Sequence, residues 1–370
     1  MKVLKLMIPG PVDIFDEVRE VMASPSMPHY GAEWTALYGE TVELLQQVFQ
    51  TRNALFLLVG PGTAGIDAAM GSLFYSGERV LVLSNGFFGD RLVAVAHAYG
   101  LEVVHLPFPA GQPVDPDTVR ARLDRASGVQ AVAVVHHETS TGVLNPVRQV
   151  AQLAHARGLP IIVDAIASIG GVPVPVDEWE LDVVVTTANK CLEAPPAVAP
   201  LSVSQRAWEV MDSKPNRGHG WYLNLDTWRE YVESWGDWHP HPTTMPTHNI
   251  LALRASLLRI LSGGLPNHYA KHVQAAERVR AGLRGMGFEL FVTGEYACPL
   301  ITAVEARPEF AVDELAHILR EEHGIVIGVG IAKLRGKIFR VGHMGRAASD
   351  EFVEAFLDGM RDFLQRKGLA

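Results

Sequence analysis

The run Val129–Val135, apolar except for Gln130, constrains this chain more than any other stretch. A strand that is apolar at successive positions must be covered on both faces, as a central strand of a helix-wrapped parallel sheet is. Further strand candidates follow the same theme: Ala54–Val59, Arg79–Leu83, Glu102–Leu106, Pro160–Val163, Val183–Val185 and Leu201–Val203. Between them lie segments of helical periodicity, predicted over Trp34–Gln50, Ile66–Tyr75, Arg91–Tyr99, Pro116–Arg125 and Gln149–Arg157. Such alternation predicts an α/β fold with a mostly parallel sheet.

After an irregular, Trp-, His- and Pro-rich stretch from Ser213 to Pro246, the pattern changes. Helices are predicted over Ile250–Ser262, Tyr269–Met286, Val312–His323 and Ser349–Arg366, with strands over Pro299–Val304, Ile325–Val329 and Lys337–Val341. A chain of 370 residues suits a large domain and a smaller one. The expected division is residues 1–245 and 246–370, the second a compact α+β unit on which the N-terminal segment can pack.

Bulk properties exclude several classes. The net charge of −9 comes without a basic patch, so no nucleic-acid partner is expected. Two cysteines, Cys191 and Cys298, make neither a disulfide framework nor a metal-type pair. The first apolar residues are too few for a secretory signal, and no stretch has the length of a membrane span. A reduced, cytoplasmic setting is the expectation.

The chemistry-bearing residues gather where predicted strands end. Open α/β sheets place ligands at that edge. Gly60-Pro-Gly-Thr-Ala-Gly65 links a strand to a helix and can present backbone N–H groups to an anion, or can be a tight turn only. No acidic residue closes the next strand, which ends Ser84-Asn-Gly86, so a dinucleotide is a poor guest and a single phosphate a better one. Phe87 and Phe88, between glycines, can offer a ring for stacking or can be core. His136-His137 invites a metal, but adjacent strand residues point to opposite faces and no second ligand pair accompanies them; no metal is expected. Asp164 ends an Ile-Ile-Val strand, as a helix cap or as partner to a protonated cofactor nitrogen. Lys190 follows Val183–Val185 and precedes Pro195-Pro196; in a partly apolar site its amine can form a Schiff base with an aldehyde.

Taken together, an anion-binding turn, an aromatic plate, a carboxylate and a lysine are what pyridoxal 5′-phosphate needs. The chain resembles the fold-type I pyridoxal-phosphate enzymes of the class V aminotransferase group. Within that group it is most similar to the alanine–glyoxylate and serine–pyruvate aminotransferases, with likeness to pyridoxamine–pyruvate and 2-aminoethylphosphonate–pyruvate enzymes. The motifs are Asn85-Gly-Phe-Phe-Gly89, His137-Glu-Thr-Ser-Thr-Gly142, Val163-Asp-Ala-Ile-Ala-Ser-Ile-Gly-Gly171, Ala188-Asn-Lys-Cys-Leu-Glu-Ala-Pro-Pro196 and Arg340-Val-Gly-His-Met-Gly345.

The resemblance implies a large domain with a seven-stranded type of sheet, a smaller C-terminal domain, and ping-pong transamination between a small amino donor and a 2-oxo acid. It implies Lys190 as the Schiff-base lysine and Asp164 at the ring nitrogen. Phe88 would stack on the ring, Thr139 would sit near its hydroxyl, and Gly62, Thr63 and Ala64 would line the phosphate. Thr244 would reach the phosphate from the partner subunit of a homodimer. Arg340, with Gly10 and Tyr30, would hold the substrate. His29, Trp221 and the loop from His239 to His248 are further candidates for reading it. The sequence departs from the family pattern where Gly62-Thr-Ala64 replaces Ser-Gly-His, Phe88 a common tryptophan, and His241 a common tyrosine. Rival readings are a cysteine desulfurase using Cys298, a Rossmann dehydrogenase, and a non-catalytic relative of the fold.

Overall fold

The computed structural model describes residues 4–214 and 220–369. Its centre is a seven-stranded sheet in the order Ala54–Val59, Val198–Val203, Val183–Val185, Ile161–Asp164, Val129–Val135, Arg79–Ser84, Glu102–Pro107. Val198–Val203 runs antiparallel to both neighbours; the other pairs are parallel. Val129–Val135 lies inside, with all its residues buried except Gln130, as a double-covered strand requires. The alternating side chains of these strands feed two cores. Leu55, Leu57, Val132, Val134 and Val184 point into one, while Phe56, Leu58, Ala133, Val135 and Val185 point into the other.

A second sheet, ordered Lys5–Met7, Ile325–Val329, Ile338–Gly342, Ile301–Glu305, carries its own core with the helices Val312–His323 and Asp350–Arg366. The N-terminal strand Lys5–Met7 pairs in parallel with Ile325–Val329, so the chain begins on the smaller sheet and crosses back over the larger one. Helix Thr247–Ser262 places Ile250, Leu253, Leu257 and Ile260 in the first large core, whereas Ala275, Val279 and Leu283 of helix Leu265–Gly285 belong to the small one. The large core therefore extends past residue 245, because the apolar stripe of Thr247–Ser262 lies against the helix Ala32–Phe49.

Two expectations need correction. The stretch from Ser213 to Pro246 contains a helix, Leu225–Trp235, whose Asn224 side chain accepts the Asp226 N–H and whose Trp228 is buried; residues 215–219 lie outside the described residues. The helix expected from Arg91 begins at Phe87. Among the described residues, no helix is long and apolar enough to cross a membrane.

Candidate active site

Asp164 sits at the middle of the large sheet's carboxyl edge, in register with Val135 on one side and Val185 on the other. Beyond these ends the chain turns into loops that enclose a cleft of about 190 Å³, lined among others by Gly62, Thr63, Phe88, Thr139, Asp164 and Lys190. Six residues from five separate strand ends thus converge as the sequence pattern predicts.

The anion end is the start of helix Gly62–Leu73. No side chain caps it, and among the described residues the N–H groups of Gly62 and Thr63 have no local acceptor. Close packing demands the glycines here: a Cβ on Gly62 would lie 2.7 Å from Ile166, and one on Gly65 2.5 Å from Val185. Ala64 donates its N–H to Pro61 in the first turn.

The aromatic plate is fixed by a buried carboxylate. Glu138 accepts the N–H groups of Phe88 and Gly89, each at 3.0 Å, and of Ser140 at 3.1 Å, together with the Ser140 hydroxyl. A negative group at a helix N-terminus is favourable, and this one starts the helix Phe87–Ala98 four residues earlier than its own sequence suggests. One turn along, Arg91 places its guanidinium 4.8 Å from the Phe88 ring centre and also lines the cleft.

Asp164 is 7% exposed and accepts the Ile166 N–H at 3.0 Å. Among the described residues it has no ion-pair partner, and burial, with Glu138 nearby, pushes its carboxyl from 3.8 up to about 7. Lys190 faces the same cleft and donates to the Pro9 carbonyl. Burial, reinforced by Arg340 and Arg91, lowers its ammonium from 10.5 to about 8. The N-terminal segment roofs this lysine: Val12 N–H bonds to Asn189 O at 3.1 Å, and Gly10 adopts φ +106° directly against the amine.

Arg340 is buried, and its fork is partly committed. Nη2 and Nε donate to Val329 O at 2.6 and 3.2 Å, and Nη1 to Thr139 O at 3.0 Å. The guanidinium thereby ties the small sheet to the Thr139 loop, and only its remaining N–H groups are left for a substrate. Tyr30 is 49% exposed and packs on Trp238 and His29, outside the residues lining the cleft. Thr244 and Trp221 are likewise exposed and do not line the cleft in a single chain. His241 is buried, with both ring nitrogens engaged, one by Trp34 Nε1 and the other by Thr243 O, each at 2.8 Å.

Sequence reading missed Arg91 and gave His137 no role in the cleft. Arg91 lies one helical turn from Phe88, a spacing that signals a shared face. His137 lines the cleft with its Nδ1 3.1 Å from Ala167 O, and its Nε2 has no partner among the described residues. Burial holds it neutral, its imidazolium lowered to about 4. Cys191 and Cys298 are both buried, and burial raises the Cys298 thiol to about 12, so neither has the exposed thiolate a desulfurase needs.

The family description "Aminotransferase class-V" matches residues 14–348, and the chain belongs to that family. It is 36% identical over 348 residues to an uncharacterized aminotransferase of Methanocaldococcus jannaschii, covering 94% of this chain and 89% of that one. It is 30% identical to the pyridoxamine–pyruvate transaminase of Mesorhizobium japonicum, covering 97% and 91%. Among solved structures, alanine–glyoxylate aminotransferase from Nostoc sp. superposes with a TM-score of 0.94 at 31% identity, covering 98% and 96%. The protein is a pyridoxal 5′-phosphate-dependent aminotransferase of fold type I. That removes the dehydrogenase and non-catalytic readings.

The residues present fit this cofactor. The uncapped helix end suits a phosphate, the Phe88 face a flat ring, and the buried Asp164 carboxylate, without an ion-pair partner among the described residues, a protonated ring nitrogen.

Proposed function

We propose that this chain moves an amino group from a small amino acid or amine, alanine or serine foremost, to a 2-oxo acid such as glyoxylate or pyruvate. The observation that carries the reading is the convergence of Lys190, Asp164, Phe88, Thr139 and the Gly62 helix end on one cleft. Pyridoxal phosphate, when bound, supplies an electron sink for the substrate's Cα. Asp164 would hold a proton on the ring nitrogen, its buried carboxylate gaining an ion-pair partner there. Phe88, backed by Arg91, would cover one face of the ring, and the phosphate would be met by the backbone N–H groups of Gly62 and Thr63 and lined by Ala64, whose own N–H goes to Pro61. Thr139, which lines the same cleft, would bond near the ring hydroxyl. Lys190 holds the cofactor and then, with an amine close to neutrality, moves a proton at Cα. The free N–H groups of Arg340 take the substrate carboxylate. In a homodimer, as the family resemblance implies, the exposed Thr244 would complete the partner's phosphate site.

A second reading takes pyridoxamine or 2-aminoethylphosphonate as donor with pyruvate as acceptor. His137 favours it: a neutral, unpartnered Nε2 in the cleft offers an acceptor that alanine does not use. Carbonyl-product formation separates the two: a keto acid from alanine or serine, an aldehyde from pyridoxamine or aminoethylphosphonate, each with glyoxylate and, except for alanine, with pyruvate as acceptor. A His137→Leu variant that keeps alanine turnover but loses pyridoxamine turnover supports the second reading. Failure of all four donors with cofactor-loaded protein contradicts both.

A further inference from the structure

Outside the cofactor cleft lies a larger one, about 640 Å³, between helix Leu265–Gly285, the turn after strand Ile338–Gly342 and the loop following Lys190. Of the residues with metal-ligating atoms that line it, Glu193, His268 and His272 stand together. His268 and His272 stand one helical turn apart on the same face, and Glu193, three residues beyond Lys190, reaches across to them. One donor atom from each lies within 4.8 Å of the other two.

All three are nearly inaccessible: Glu193 and His272 are 1% exposed and His268 is 5%. Yet their polar atoms are poorly satisfied. His268 Nε2 and His272 Nδ1 have no hydrogen-bond partner among the described residues, while Glu193 Oε2 is ion-paired with Arg259. Burying polar groups without partners is unfavourable, and such orphans call for an explanation. Burial and the nearby Arg259 and Lys271 hold His268 neutral, its imidazolium lowered to about 4, and burial holds His272 lower still, at about 3. Each neutral ring keeps one lone pair, which on His272 is the Nε2 pair that the Gly345 N–H meets.

We propose that Glu193, His268 and His272 form a binding site for a divalent transition-metal ion of the zinc class, with its fourth position open to the cleft. His268 Nε2 lies 3.5 Å from Glu193 Oε1. A tetrahedral zinc with bonds of about 2.1 Å sets neighbouring donors roughly 3.4 Å apart, so this pair already stands at ligand spacing. The second carboxylate oxygen, Oε2, faces Arg259 and would be oriented by it, as outer partners orient ligating carboxylates. Arg259 is in turn 3.8 Å from Glu17, and Glu277 and Asp350 face the cleft against Lys271 and Arg278. The His272 Nε2 accepts the Gly345 N–H at a long 3.2 Å, a bond an ion can replace. A neighbouring histidine group, His29, His239 and His241, is a poorer candidate because both His241 nitrogens are already engaged.

Such an ion would join the Lys190 loop to helix Leu265–Gly285. The test uses cofactor-loaded protein, equilibrated with excess zinc and dialysed into metal-free buffer, with zinc content and competition against a chromophoric chelator as readouts. The expected result is one zinc ion per chain. His268→Ala and His272→Ala weaken binding by more than about 100-fold, beyond the roughly 10–100-fold effect of losing an outer partner, while His239→Ala leaves it unchanged. Zinc also raises the melting temperature of the wild type but not of His272→Gln, which keeps the comparison valid if an alanine variant fails to fold. Wild-type protein that retains no zinc, or zinc binding that survives in His272→Gln, overturns the proposal.

Discussion

Substituting Gly10 by alanine isolates the placement of Lys190 from its chemistry. A Cβ built on Gly10 would fall 2.3 Å from Lys190 Nζ, 2.5 Å from its Cδ and 2.7 Å from its Cε. Ordinary carbon contacts are about 3.5–4.0 Å, so the lysine tip must shift by roughly 1 Å or more. The obstructed atoms are the end of a flexible side chain, not backbone, and the fold itself can survive. Alanine at φ +106° adds strain of about 1–2 kcal/mol. A reacting group misplaced by about 1 Å can lose on the order of 100-fold in rate. Gly10→Ala is therefore expected to remain folded, to melt a few degrees lower, and to lose roughly 100-fold in the single-turnover rate with its best amino donor. Gly39→Ala is the control: it lies in helix Ala32–Phe49 with nothing within 4 Å of the added carbon, and a neutral or slightly stabilising effect is expected. A Gly10→Ala rate within about threefold of wild type would refute the claim that this glycine positions the lysine.

Other consequences follow from the buried charges. The Asp164 carboxyl, raised from 3.8 to about 7, binds a proton more tightly in the folded than in the unfolded state. Cofactor-free protein should therefore lose stability as pH rises from about 4 to about 7, by at most about 4 kcal/mol; melts across that range should show the decline, and Asp164→Asn should flatten it. Lys190 is uncharged in a growing fraction as pH rises through about 8, so cofactor uptake by cofactor-free protein should accelerate to that point and then level off. Glu138→Ala removes the acceptor of three N–H groups and a hydroxyl, and a loss of roughly 3 kcal/mol in urea unfolding is expected. Phe88→Ala should weaken cofactor retention about tenfold, measured by equilibrium dialysis.

Much of the large domain was legible because its strands are apolar on both faces and each ends in a polar cluster. Ala54–Val59, Pro116–Arg125, Val129–Val135 and Val312–His323 have the bounds their sequences suggest. The cleft was legible for the same reason: its residues sit at strand ends, and the pattern locates those ends. What escaped was set by residues distant in sequence. Phe87–Ala98 starts early because Glu138, about fifty positions away, satisfies its first N–H groups. Leu225–Trp235 is rich in aromatic and β-branched residues of modest helix propensity, and burial of Trp228 and an Asn224 cap outweigh that. Arg340 reads in sequence as a free cation, whereas its fork is tied to the Val329 and Thr139 carbonyls that tertiary packing brings to it. Glu193 and His268 meet only because the lysine loop folds onto helix Leu265–Gly285, and no local spacing announces that.

The most direct test of the account is to load the protein with pyridoxal phosphate, reduce it with borohydride, and map the modified peptide by mass spectrometry. The account predicts the reduced cofactor on Lys190, with no modification in Lys190→Ala. Modification at a different lysine, or none in the wild type, would contradict it.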